Sequence, residues 1–386
     1  MAFEALIAGG GIGGLATATA LAQRGWRVTV FESSRELRFA GWGIYIHNNG
    51  LSILSELGAY DRVMSNPFMG RSFEQRDHLG QIFHVDHFPP GVRMVSVPRS
   101  DLMAGLEQAA RAAGVRIEPG AEVVDARADG TLMFASGDQV HADLVIGCDG
   151  VSSRVRRALD LELHHERCSQ GALRTVIRGT QEDIPEGSRG RYIENWNGRR
   201  RILVTPMKTD QIFLAMTCPA DDEEGRDTRI RSCWKNDFPV WAHLIERITP
   251  EVTWNVFSAI KCKSWSVGHA CLVGDAAHAT TPNVGQGGGM AMQNGLALSA
   301  YLAKVKDRRD IPAALAAWEV AMRPLVESTQ RWSSLFGELV EVPNEVRPRI
   351  IRAALTDPWV ASQLWMAGAS TPITHTSWEP PPPAKL

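Results

Sequence analysis

The chain has 386 residues, 41 Lys and Arg against 43 Asp and Glu, a formal net charge of −2 and a hydrophobic fraction of 44%. That length allows two or three domains with a large core, and the near-neutral charge argues against nucleic acid or an anionic membrane as the main partner. No run of eighteen apolar residues occurs, the first residues enter a strand without a basic leader, and the six cysteines lack C-x-x-C spacing. The expectation is a cytoplasmic protein with reduced thiols, no metal site and no membrane span.

Residues 3–8 are a short apolar run that predicts a buried strand, 15–23 a helix and 27–31 a second strand, with Glu32 at its end. The intervening turn carries G-x-G-x-x-G at Gly9, Gly11 and Gly14. In such a βαβ unit the first glycine makes the tight turn, the second lets the backbone approach a pyrophosphate, and the third lets helix and strand pack closely. The helix N-terminus offers free N–H groups to the pyrophosphate, and Glu32 would accept hydrogen bonds from a ribose. The fingerprint indicates FAD or NAD without deciding between them.

Gly41, Gly43 and the polar cluster 47–50 predict a loop beside a ligand, ahead of a helix at 51–57. Strand-like pieces at 72–75 and 81–85 leave the parallel sheet. A strand at 94–97 leads into a helix to residue 113, with Ser100 as its N-cap. Four short strands follow at 115–117, 121–127, 132–135 and 140–146; the last ends in the Asp149-Gly150 turn and a helix bearing Arg154 and Arg156. An Asp at a strand's C-terminal edge can meet a ribose or flavin hydroxyl. Between 171 and 258 the runs 172–180, 190–194, 201–206 and 212–217 succeed each other without helices, which predicts an antiparallel sheet. Residues 221–227 form a charged loop, and helices at 228–236 and 239–248 are anchored by Trp234, Phe238 and Trp241. A strand at 270–273 precedes Asp275, the cluster Gly285, Gly287, Gly288, Gly289 and a helix at 290–302. Such a cluster brings backbone N–H groups close to a planar or anionic ligand, as a reduced flavin is. A helical stretch 311–342, kinked or broken near Pro324, a helix at 346–355 and a disordered proline tail at 380–383 complete the chain.

Three linked motifs then stand in order: Gly9, Gly11 and Gly14 with Glu32; Gly147, Asp149, Gly150, Ser153 and Arg156; Gly274, Asp275, His278 and Pro282. Together, over about residues 1 to 325, they resemble the single-component FAD-dependent aromatic hydroxylases. Tyr45, His47, Gly50, Arg99, Ser100, Gln293, Asn294, Trp318 and Arg323 are closest to the 2-methyl-3-hydroxypyridine-5-carboxylate oxygenase branch, although much of the wider family has an acid at the Asn294 position. The resemblance implies an α/β fold with a discontinuous Rossmann-like FAD-binding domain (1–70, 94–170, 259–325). An interleaved antiparallel-sheet substrate domain (71–93, 171–258) and a C-terminal helical segment with tail (326–386) complete the expected layout.

Residue by residue, it implies that Gly9, Gly11, Gly14 and Glu32 bind the ADP half of FAD and that Arg99 holds the cofactor from its helix start. Asp275 would meet the ribityl–pyrophosphate region, Pro282 would lie beside the isoalloxazine near C4a, and Gly285, Gly287 and Gly288 would contact the ring. Asp149 and Arg156 belong to a segment associated with both FAD and NAD(P)H. The reaction implied is reduction of FAD by NADH or NADPH, addition of O2 at C4a, and hydroxylation of a hydroxylated aromatic or N-heteroaromatic acid by the hydroperoxide, with ring opening in that branch.

For the substrate, an arginine on a pocket-facing strand suits a carboxylate, and alternation puts Arg199 and Arg201 on one face with Arg200 on the other. Arg201 matches an arginine beside the substrate in that branch; Phe73 and Phe213 stand where it has two tyrosines, and Tyr45 is an alternative hydroxyl donor. His278, embedded in the cofactor motif, reads as structural. A homodimer is a family-level expectation. The alternatives are a flavin halogenase, which would need an absent W-x-W-x-I-P segment, a flavin-dependent reductase or dehydrogenase without oxygen insertion, and a non-catalytic flavin-binding sensor.

Overall fold

A computed structural model describes residues 2–37, 42–88, 91–227, 229, 231–249 and 252–381. The strand Glu4–Ala8 lies at the middle of a six-stranded sheet, between Leu144–Gly147 and Arg27–Glu32. Ala270–Leu272 and Arg116–Pro119 flank these, all in parallel, and Ser266–Val267 closes one edge antiparallel. Leu6, Ile7, Val30, Val145 and Ile146 are almost fully buried, as expected of short apolar strands covered on both faces. The helices Ile12–Ala22, Arg99–Ala112 and Gly287–Leu302 pack together against this sheet. The fold is the expected α/β, Rossmann-like arrangement.

A second sheet of seven strands runs in the order Trp254–Cys262, Glu162–Arg178, Gln211–Pro219, Arg200–Lys208, Tyr192–Asn197, Ser72–Arg76, Ile82–His87. Its pairs are antiparallel except Tyr192–Asn197 against Ser72–Arg76, which is parallel because the second strand arrives from the other half of the chain. Ile202, Val204, Ile212 and Leu214 pack under Trp234, Phe238 and Trp241. On another part of this sheet Trp196 meets Phe336, Val340 and Ile351 from the C-terminal helices.

Several sequence expectations change. Residues 43–47 are a strand, Gly43–His47, paired antiparallel with Met94–Pro98, where a loop was expected; Gly41 lies outside the described residues. The expected strand 140–146 is two pieces in different sheets, Gln139–His141 and Leu144–Gly147. Between them the Ala142 N–H turns to Gly130, and the Asp143 carboxylate accepts the Glu4 N–H at 2.9 Å. Ser100 is not an N-cap: the helix starts at Arg99, whose N–H is satisfied by the Trp42 carbonyl. The helix Ile311–Glu338 continues through Pro324; the carbonyl this proline cannot satisfy belongs to Val320, which is 75% exposed and so accessible to water.

The charged loop holds the short helix Glu223–Arg226, and the following helix is Ser232–Asp237, with Thr228 and Ile230 outside the described residues. Residues 239–248 divide into Pro239–Trp241 and Ala242–Ile245. The strand Trp254–Cys262 and the helix Pro358–Ala369 were not anticipated. Of the proline tail, 382 and 383 lie outside the described residues, while Trp378 just before it packs on Tyr301 at 6.0 Å. The boundaries 170/171, 258/259 and 325/326 each fall inside one element: Glu162–Arg178, Trp254–Cys262 and Ile311–Glu338. Two strands and a helix therefore carry the chain across without linkers.

Candidate active site

A cavity of about 700 Å³ runs from Gly11–Gly13, past Asp275 and Gly287, onto the seven-stranded sheet. Two helix N-termini open into it. Ile12–Ala22 and Gly287–Leu302 have neither a side-chain cap nor an acid in the first turn, so their orphan N–H groups are available to a ligand. The glycines divide their labour. Gly9 has φ +105° and a Cβ there would meet the Cys148 carbonyl at 2.4 Å; one on Gly14 would stand 2.0 Å from the Gly9 oxygen. A Cβ on Gly11 or Gly287 would meet nothing within 4 Å, so both positions face the open cavity. Gly285 has φ +64°, the left-handed turn that starts the second helix, and Gly288 packs against Ile44.

Asp275 projects into the cavity, yet enough protein surrounds its carboxyl for burial to raise its pKa, with Arg99 opposing. Arg99 and Pro282 line the same space. Glu32 lies at the end of its strand. Burial would raise its pKa, but the N–H groups of Ser34 (2.9 Å) and Gly10 (3.0 Å) and the Ser33 and Ser34 hydroxyls hold it below the usual value, so it stays ionised.

Asp149 and Arg156, expected near the cofactor, both have structural partners within the protein. Asp149 Oδ2 accepts the N–H groups of Arg154 (2.7 Å) and Val155 (3.1 Å), so it caps a helix, and Asp149 is absent from the cavity lining. Arg156 is fully buried and donates to Glu162 (2.9 Å), Ala276 O (2.8 Å) and Val151 O (2.6 Å). It ties the Asp149-Gly150 turn to the Asp275 turn from behind, and it is not among the residues that line the cavity. Three hydrogen bonds to this guanidinium offset part of the cost of burying its charge.

At the far end lie Phe73, Phe213, Phe336, Leu364 and Trp365 with Arg201 among them. Arg201 Nη1 lies 3.3 Å from Glu194 Oε1, Nη2 donates to Asn283 Oδ1 at 2.6 Å, and the guanidinium sits 4.9 Å over Trp196. Burial pulls its pKa down and Glu194 opposes, and Nη1 makes no hydrogen bond. Arg199 was placed on the same face; it is instead outside the strand, on the surface, paired with Asp221 and Glu341. The Tyr45 hydroxyl is engaged by Thr205, so Tyr45 offers the cavity its ring, packed against Phe73 at 6.0 Å and Tyr192 at 5.3 Å.

Sequence reasoning missed four residues here. Glu194 and Asn283 reach Arg201 from different elements, and Asn283 is held by donating to Ser333 O at 2.9 Å. Trp365, from the unanticipated helix, packs edge-on against Phe88 at 5.3 Å and at a tilt against His47 at 5.4 Å. It also hydrogen-bonds Asp86, whose carboxyl burial pushes up to about 6. His47 is 6% exposed and lines the cavity with both ring nitrogens unpartnered; burial pulls it down to about 4, so the imidazole is neutral. Only the alternation of 44–47 could have hinted that Tyr45 and His47 share a face. His278 is neutral for the same reason, with Nε2 accepting the Asn294 amide at 2.8 Å, a structural pair. Among the described residues no cluster of His, Cys, Asp or Glu could hold a metal, and no helix is long and apolar enough to cross a membrane.

Two uncapped helix N-termini, glycines open to one cavity and an acid between them are what an extended flavin dinucleotide requires. The FAD binding domain family model matches residues 2–333, and the chain belongs to that family. It is an FAD-dependent monooxygenase of the aromatic hydroxylase class. Among its relatives, a probable 2-heptyl-3-hydroxy-4(1H)-quinolone synthase of Rhodococcus erythropolis is 38% identical over 94% of this chain and 95% of its own. A 2-heptyl-3-hydroxy-4(1H)-quinolone synthase of Mycobacteroides abscessus is 36% identical, over 91% and 94%. A tetrameric form of 2-methyl-3-hydroxypyridine-5-carboxylic acid oxygenase superposes with a TM-score of 0.86 at 30% identity, covering 99% of this chain and 100% of that one.

Proposed function

We propose that this enzyme uses NADH or NADPH and O2 to hydroxylate a neutral, electron-rich N-heteroaromatic ring carrying an apolar substituent, of the 2-alkyl-4(1H)-quinolone type. The observation that carries this is the Arg201–Glu194 pair in the cavity. A receptor for a carboxylate would keep its guanidinium free for bidentate pairing; here Glu194, 3.3 Å from Nη1, already balances the charge, and Nη1, which makes no hydrogen bond, can still donate to a ring carbonyl. Phe73, Phe213, Leu364 and Trp365 supply an apolar wall for the rest. The quinolone synthases at 36–38% identity support a neutral ring, and the hydroxylated quinolone in their names is intact, which favours hydroxylation without ring opening.

Bound FAD supplies hydride acceptance and oxygen transfer. In this reading Gly9, Gly11 and Gly14 with Glu32 hold its ADP half, and Arg99 and Asp275 its middle. Pro282, Gly285, Gly287 and Gly288 flank the ring. Asp149 and Arg156 position these turns without touching it. Arg201 orients the substrate carbonyl, and the apolar wall excludes water. As the ring carbon takes oxygen, the ring N–H becomes acidic, and neutral His47 is the group able to take that proton. We further propose a homo-oligomer in solution, to be read by light scattering; a monomer at micromolar concentration would refute it.

The test is direct. The purified yellow protein is supplied with O2 and NADH or NADPH, and 2-heptyl-4(1H)-quinolone is compared with pyridine and phenolic acids. The quinolone should stimulate NAD(P)H oxidation and gain one oxygen atom by mass. Stimulation by the acids alone would overturn the neutral-ring reading.

A further inference from the structure

Arg174 is the cavity's unspent cation. It lies on the strand Glu162–Arg178, opposite Ala215, and lines the cavity with it. Its guanidinium is clasped between two aromatic faces, 5.2 Å from the Phe257 centroid and 5.7 Å from that of Trp42. No hydrogen bond or ion pair to another described residue engages it, whereas Arg201 has Glu194 and Asn283 and Arg99 has Asp275 nearby. A half-buried cation held by rings and left without a carboxylate is costly unless an anionic ligand completes it.

Register separates it from the substrate end. Arg201 pairs with Thr217, which pairs with Ala172, while Leu203 pairs with Ala215, which pairs with Arg174. Two strand spacings across and two residues along put the Arg174 and Arg201 backbones about 12 Å apart. On the other side, Trp42 accepts the Arg99 N–H at 2.9 Å, so the Arg174 clasp adjoins the start of the Arg99 helix. This is a second anion position in the same cavity, beyond the one Arg99 serves.

The proposed reaction needs a second dinucleotide, and its donor carries a pyrophosphate. Among the described residues one βαβ unit bears G-x-G-x-x-G, and FAD takes it. We propose that Arg174, clasped by Trp42 and Phe257, is the docking point for the pyrophosphate of the nicotinamide donor. The assignment rests on the reading that NAD(P)H reduces this enzyme. Docking there leaves the nicotinamide in the same cavity as the flavin, where it loses a hydride to FAD and departs as NAD+.

The test uses the holoenzyme of wild type, Arg174→Gln and Arg174→Lys, reduced anaerobically by NADH or by 1-benzyl-1,4-dihydronicotinamide, which has no phosphate. In Arg174→Gln the Kd for NADH, read from the concentration dependence of flavin bleaching, should rise at least about tenfold with little change in limiting rate. The benzyl donor should react as with wild type, and ADP-ribose should compete with NADH in wild type but not in the variant. The Lys variant should recover part of the affinity. The oxidised flavin spectrum, FAD content and the substrate-induced spectral shift should not move. Loss of FAD, equal slowing of both donors, or a weakened substrate shift with unchanged NADH affinity would each overturn the assignment. If wild type is reduced by dithionite but by neither NADH nor NADPH, the donor reading fails and the dock with it. Normal wild-type reduction with an unaffected Arg174→Gln refutes the dock alone.

Discussion

At the scale of single residues, the site is a set of charges kept in check. Glu194 balances Arg201 and is itself held by the Gln75 amide at 3.0 Å. Glu194→Gln would keep an amide near Gln75 but leave a buried guanidinium uncompensated. It should therefore bind carboxylated ring analogues about tenfold more tightly and lower stability by about 3 kcal/mol, measured by flavin difference titration and by urea unfolding. Unchanged selectivity would remove Arg201 from the substrate site. His47 and His278 are both held near pKa about 4 by burial. Their unfolded values are about 6.5, so between the two the unfolded state binds more protons and stability rises with pH. Acidification from about 6.5 should therefore destabilise the fold, each histidine contributing up to about 3 kcal/mol by pH 4. His47→Gln should flatten part of that slope in urea titrations across this range; an unaltered slope would mean that His47 is hydrated.

At the scale of elements, two helix N-termini and one closing helix define the cavity. Gly11 is the N-cap of Ile12–Ala22 with open space above it. Gly11→Val fits the backbone but fills that space, so FAD content after purification should drop at least about tenfold while the folded far-UV spectrum persists. Full flavin occupancy would contradict the role of this turn. The helix Pro358–Ala369 brings Trp365 over His47 and Asp86. Trp365→Ala should raise the substrate KM about tenfold with FAD content unchanged, since a buried aromatic wall is lost at the far end only. Long periodic or glycine-marked elements were legible in the sequence. The strand Gly43–His47 was not, because its partner Met94–Pro98 is some fifty residues away and supplies the hydrogen bonds that a local reading cannot see. Nor was the continuity of Ile311–Glu338 through Pro324, which depends on the solvent exposure of the turn before it.

At the scale of the whole molecule, the cavity lies between the two sheets, and Glu162–Arg178 and Trp254–Cys262 run unbroken from one toward the other. FAD spanning this cavity should stabilise both sheets together. At free FAD one hundredfold above its Kd, unfolding should cost about 2.7 kcal/mol more, as one cooperative transition with a raised Tm. Two separate transitions, only one of them FAD-sensitive, would show that the sheets unfold independently.

The sequence by itself determined the nucleotide fold and its cofactor class. The glycines, the alternating strands and helices and the acid at Glu32 act through local backbone geometry, which is written in order along the chain. Only the tertiary structure decided what the charged residues do. Asp149 and Arg156 read as ligand contacts in the sequence; in the fold Asp149 caps a helix and Arg156 ties two turns together. Arg199, Arg200 and Arg201 are adjacent, yet the first two are paired with surface or peripheral carboxylates and the third enters the cavity with Glu194. A charge is defined by its partners, and these partners come from segments that only folding brings together.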